Sequence, residues 1–108
     1  MIYEQRVYEA LPGKMAALQD RFANHTIRLF EKHGMKVVGF WTNYIGGVSN
    51  QLIYMLGYEN LAERERTWAA FSADPEWQQA RAESERDGPL VARTSNVLLR
   101  PTRFSPMQ

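Results

Sequence analysis

The stretch KHGMKVVGFWTNYIGGVSNQLIYMLGYE, residues 32–59, reads as a helix end followed by two long strands joined by a glycine-rich turn. Its apolar residues do not alternate cleanly. Val37, Val38, Phe40, Trp41, Tyr44, Ile45, Leu52, Ile53, Tyr54, Met55 and Leu56 occupy both parities. A strand with one wet face carries its apolar residues on one parity, so both faces of this hairpin are expected to be covered. Gly46, Gly47, Ser49 and Asn50 supply the residues a tight reversal needs. The two glycines lead into a strand and not into a helix N-terminus, so the turn lacks the aligned N–H groups of a phosphate cradle.

Before this hairpin, Ile2–Glu9 reads as a first strand, stopped by Pro12 and Gly13. Glu4, Arg6 and Tyr8 share one of its faces, which predicts an ion pair on a sheet surface. A helical pattern follows over 14–33, with Met15, Leu18, Phe22, His25 and Leu29 on one stripe and Arg21 and Arg28 mostly off it. Gly34 caps its end. After the hairpin, Asn60 with Glu63 marks a new helix start, and Leu61, Trp68 and Phe71 share a face. Asp74–Pro75 restarts a more polar helix reaching Arg86, and Leu90–Arg100 reads as a fourth strand.

This order predicts one α+β domain over residues 1–108, with a ferredoxin-like four-stranded antiparallel sheet and helices on one face. The helices cover one side only, and a chain of this length has no spare element for the other. A second copy would cover it through a self-complementary two-fold contact, so a homodimer with sheet facing sheet, a dimeric α+β barrel, is expected. A net charge of +1 provides no broad basic field for nucleic acid, and no window is apolar enough to span a membrane. The sequence has no cysteine, which removes disulfides, thiolate metal sites and thiol nucleophiles. With charges interrupting its apolar N-terminal residues, the chain is expected to be cytoplasmic.

Five segments in order, YEQRVYEALPGK, EKHG leading into VVGFW, GYENLAERERTW, DPEWQ and LLRPTRFSP, resemble the NIPSNAP-type domain of the dimeric α+β barrel superfamily. The resemblance covers nearly the whole chain, and Gln5 departs from it where an apolar residue is expected. It implies an architecture similar to that of small monooxygenases, isomerases and haem-binding proteins. The NIPSNAP-like members themselves have no generally established reaction, so the resemblance implies a fold more than an activity.

His25, an imidazole among Phe22 and Leu29, is the candidate acid–base residue for a bound compound, with Tyr54 as hydrogen-bond partner; the alternative is a core or interface histidine satisfied by one hydrogen bond. Trp41, Tyr44 and Trp68, with Asn43 or Asn50 for polar contacts, are candidates to line a pocket for a small apolar or aromatic ligand; core and dimer packing is their simpler role. Arg64 and Arg66 are placed to clamp a carboxylate or to pair with Glu63 and Glu65. His25 and His33 lack metal-ligand spacing, so no metal is expected. No cofactor is required, although His25 is compatible with haem. Two functions remain: a small-molecule enzyme or binder, oxygenase-like or isomerase-like without a cofactor, and a non-catalytic dimeric ligand-sensing or protein-interaction module.

Overall fold

The computed structural model describes all 108 residues. Strand β1 spans Ile2–Ala10, β2 Lys36–Thr42, β3 Gln51–Tyr58 and β4 Val91–Leu99, and every pairing is antiparallel in the order β2-β3-β1-β4. Helix α1 (Met15–Arg21) passes through a π-helical turn (Phe22–Thr26) into α2 (Ile27–Lys32), and α3 (Leu61–Ala73) is followed at once by α4 (Pro75–Ser84). This is the expected ferredoxin-like α+β arrangement, with all the helices on one face. The molecule is only 19 Å deep along its shortest axis, the depth of one sheet and one helical layer.

Local chemistry sets the element ends. The Asn60 side chain accepts the Glu63 N–H at 2.9 Å and starts α3. Asp74 breaks the helix with an extended backbone and accepts the Glu76 N–H at 2.8 Å to start α4, with Pro75 as its first residue. The other carboxylate oxygen of Asp74 receives Lys32 Nζ at 2.8 Å and His33 Nε2 at 2.7 Å, tying the end of α2 to the α3–α4 junction. These partners hold the Asp74 carboxyl well below its usual range. Gly34, at φ +91°, turns the chain from α2 into β2.

The core lies between the layers, where Leu52, Tyr54, Leu56 and Tyr58 of β3 meet Leu18, Phe22, Leu29, Phe30 and Phe71. A bulge at Val38 puts Val37 and Phe40 on this same inner face, opposite Leu56 and Tyr54. Part of the mixed parity in β2 therefore reflects the bulge and not two buried faces. The rest is real. Trp41 pairs with Ile53 on the outer face, where Val7, Met55, Val97 and Leu99 also lie. That face is largely uncovered: Trp41 is 51% exposed and Val97 47%. The indole of Trp41 lies across Gly39, where an added Cβ would approach it to 2.8 Å.

Glu4 corrects the expectation of a surface ion pair, because it is fully buried on the inner face. Its Oε1 accepts from Tyr58 (2.7 Å) and Arg64 Nε (3.1 Å), and its Oε2 from Arg64 Nη2 (2.9 Å), Arg6 Nη1 (3.1 Å) and Asn96 (2.7 Å). Arg64 thus turns inward with a two-pronged grip, while Arg66 pairs with Glu63 on the surface. Burial works against the Glu4 charge, but the hydrogen bonds from Arg64, Tyr58 and Asn96 outweigh it and hold the pKa down at about 2.

The Glu4 pKa in the folded chain is depressed from 4.5, so its stabilisation is fully present above that pH and is lost as pH falls toward 2. The effect is on the order of 3 kcal/mol. Glu4→Gln should cost about 3–5 kcal/mol at neutral pH by leaving Arg6 without a counter-ion and Arg64 with only the exposed Glu65. Urea denaturation between pH 6 and 2, values bracketing the shift, should show a shallower acid loss in the variant than in the wild type.

Candidate functional site

Helix α2 packs against β2 and α3 against β3, leaving β4 weakly covered. A cleft of about 450 Å³ opens there between the sheet and the helices. Its floor is Tyr8 of β1 with residues Val91–Thr94 of β4, and its walls include Phe22, Phe30, Trp68, Phe71 and Trp77. The aromatic rings are braced against one another: Phe30 and Phe71 lie 4.8 Å apart between centroids, Phe71 and Trp77 4.7 Å. Arg21, Arg81 and Glu85 supply the charge.

Tyr8 is held from behind. Arg6, its guanidinium 4.5 Å from the Trp68 ring centroid, donates from Nε to the Tyr54 hydroxyl at 2.8 Å and from Nη2 to the Tyr8 hydroxyl at 3.3 Å. Tyr54 in turn donates to Tyr8 at 3.0 Å. The Tyr8 oxygen accepts from both, which leaves its own proton free to point at an acceptor in the cleft. Burial first, and then the neighbouring Tyr8, push the Tyr54 hydroxyl well above its usual pKa, so Tyr54 stays protonated and keeps donating.

The π-helical turn shapes the opposite wall. The Ile27 N–H bonds to the Phe22 carbonyl, five residues back, and Thr26 Oγ1 donates to the Arg21 carbonyl at 3.3 Å. One extra residue in the turn rotates every later side chain by about 100° relative to a regular α-helix. The inward stripe therefore runs Leu18, Phe22, Thr26, Leu29 and Phe30, and Arg21, one turn after Leu18 and ahead of the π turn, is buried beside it with 6% exposure.

His25 is accordingly not where regular periodicity predicts. It is partly exposed, facing α4 in a shallow depression with Ala17, Asp20, Asn24, Ala80 and Glu83, and it meets neither Trp41 nor Tyr54. The cleft presents no imidazole, thiolate or thioether, so a haem ligated through His25 does not fit it. Tyr54 is fully buried behind the cleft and acts on it through Tyr8. Trp41 lies on the other face of the sheet, and Tyr44, 96% exposed, projects from the hairpin turn. Asn50 closes the end of the sheet by donating to the Ala10 carbonyl at 2.9 Å, and Asn43 braces the turn through the Val48 carbonyl at 2.6 Å. Of the residues predicted for a ligand, Trp68 alone lines the cleft. Tyr8, Arg21 and Trp77 were missed. The alternation that puts Tyr8 beside Glu4 and Arg6 was legible, but nothing in the spacing signalled the π turn.

Fold and cleft define the class: a ferredoxin-like α+β domain with an aromatic-lined cleft beneath its helical layer. The family model described as NIPSNAP matches residues 3–106, and the chain belongs to the NIPSNAP family. Protein NipSnap homolog 3B from Mus musculus is 32% identical over 77 residues, covering 71% of this chain and 30% of that protein. The chain spans less than a third of the length of the curated relatives it matches. A NIPSNAP family protein with unknown function from Agrobacterium tumefaciens superimposes with a TM-score of 0.86 at 28% identity, over 100% of this chain and 94% of that one. A protein from Nitrosomonas europaea, provisionally named an antibiotic biosynthesis monooxygenase, has a TM-score of 0.65 at 10% identity over 94% and 98% of the two chains. That likeness is one of fold alone.

Thr26→Val removes the hydroxyl that serves the π turn while keeping its shape. Denaturant midpoints should report a loss of about 1 kcal/mol, more if the Arg21 carbonyl is left without another donor.

Proposed function

We propose that this domain is a homodimeric binder of a small, flat, apolar compound held in the cleft between sheet and helices, with Tyr8 as the hydrogen-bond donor that orients it. The observation that carries the reading is the union of a braced aromatic cavity with a phenol whose oxygen is occupied by two internal donors. Such a site offers broad apolar contact and one directed polar contact, the usual composition of a small-molecule pocket.

Binding or ligand sensing is favoured over acid–base catalysis. Glu4, the fully buried carboxylate behind the cleft, is fixed by five donors and held at a pKa of about 2, which makes it a poor base. Glu85, the carboxylate in the lining, is paired with Arg21 at 3.3 Å and lies 3.6 Å from Arg81. The imidazole of His25 lies outside the lining.

The homodimer rests on the outer sheet face. Exposed Trp41, Val97 and Leu99, with Ile53, Met55 and Val7 between them, make a mainly apolar surface around Gln5, covered at one end where the Tyr3 hydroxyl donates to the Gln108 carbonyl at 2.8 Å. A second copy placed face to face would bury it. Light scattering at low micromolar concentration should report twice the 12.5 kDa chain mass, and Trp41→Asp combined with Val97→Asp should return the single mass.

A thermal-shift screen of flat aromatic compounds should find ligands that stabilise the wild type. Their effect should vanish in Trp77→Ala, and Tyr8→Phe should weaken oxygen-bearing ligands about tenfold, the worth of one hydrogen bond. A wild type stabilised by none of them would remove the binding reading.

A further inference from the structure

Arg21 is an internal arginine whose hydrogen bonding is incomplete. Both of its hydrogen bonds leave from Nη1, to Ser84 Oγ and Glu85 Oε1, each at 3.3 Å. Nε is enclosed and has no partner, and the guanidinium carbon lies 5.5 Å from the centre of the Trp77 ring. A buried guanidinium carries five donors and cannot shed its charge, so idle N–H groups in a low-dielectric wall are costly unless something accepts from them. Arg21 lines the cleft, and so does Trp77.

Charge in the lining points the same way. Glu85 is the single carboxylate there and it is shared between Arg21 and Arg81, leaving that pair one positive charge in excess. Arg93 pairs with Glu9 at 2.9 Å on the outer face of the sheet and adds no charge to the cleft. The free charge therefore sits at the α4 side of the cleft, beside the aromatic walls.

We infer that the cleft selects a small aromatic carboxylate, its ring against Trp77, Phe22 and Trp68 and its carboxylate on the guanidinium of Arg21. The inference rests on the binding reading above and adds the charge of the ligand. An oxyanion supplies the missing acceptor and neutralises the excess charge at once, which a neutral compound of the same shape does not. Nη2 makes no hydrogen bond within the chain and, unlike Nε, is not enclosed, so it is the nitrogen that presents the remaining N–H groups.

The test uses two acid and alcohol pairs of matched shape, benzoate with benzyl alcohol and 2-naphthoate with 2-naphthylmethanol. Binding is read from the tryptophan fluorescence of the protein and by calorimetry. The acids should bind the wild type at least about tenfold more tightly than their alcohols, as a charged hydrogen bond predicts. Arg21→Met should abolish that preference while the alcohols still bind. Arg81→Gln, at an exposed position, should keep most of it and shows the result if Arg21→Met does not fold. Equal affinity of acid and alcohol in the wild type would overturn the inference and leave the binding reading standing. So would a preference that survives Arg21→Met or disappears in Arg81→Gln. Failure of all four compounds to bind would count against both.

Discussion

The carboxylate of Glu4 is a full charge with no contact to water, and its five donors come from β1, β3, β4 and α3. Displacing β3, β4 or α3 would take one or more donors from a buried ion, so the group works as a geometric lock across the sheet and its covering helix. It fixes Arg64 on the inner side of α3 and Arg6 beneath Trp68. Arg6 then fixes the hydroxyls of Tyr54 and Tyr8. The orientation of the phenol that faces the cleft is therefore inherited from an ion farther back on the same strand face. An apolar replacement for the whole cluster can match its stability, but it would not aim Tyr8.

The two faces of the sheet are built on different principles. The inner face joins this ionic cluster to a continuous set of touching rings, from Phe40 and Tyr54 through Phe22 and Phe30 to Phe71 and Trp77. The outer face carries Trp41, Ile53, Met55 and Val97 around a single Gln5, with Glu9, Gln51 and Arg93 at one end, in a molecule one helical layer deep. Gly39 lets the Trp41 indole lie back against the sheet, presenting a broad flat surface in place of a protruding ring. A surface of that kind suits a second sheet better than a small ligand.

The cleft owes its form to an irregularity. A regular helix over 14–33 would have turned His25 toward the sheet. The π turn reverses this, and Thr26 meets the polar cost of the wider turn from its own side chain. Just ahead of it, Arg21 places a charge against Trp77 in an otherwise aromatic wall.

Sequence alone determined the order of elements, the helix starts at Asn60 and Asp74, the stop at Gly34 and the ferredoxin-like topology. Each of these depends on neighbours within a few residues, and alternation in β1 likewise put Glu4, Arg6 and Tyr8 on one face. Tertiary structure decided which side of each pattern mattered. A two-residue period cannot say whether Glu4 and Arg6 face solvent or core, because that depends on Arg64, Tyr58 and Asn96 arriving from 54 to 92 positions away. The bulge at Val38 and the π turn at residues 22–26 each add one residue to a repeat, shifting every later side chain by one step. Such insertions leave little trace in local composition, since they are stabilised by contacts made only after folding. The π turn is why His25 lies outside the cleft that Tyr8, Arg21 and Trp77 line.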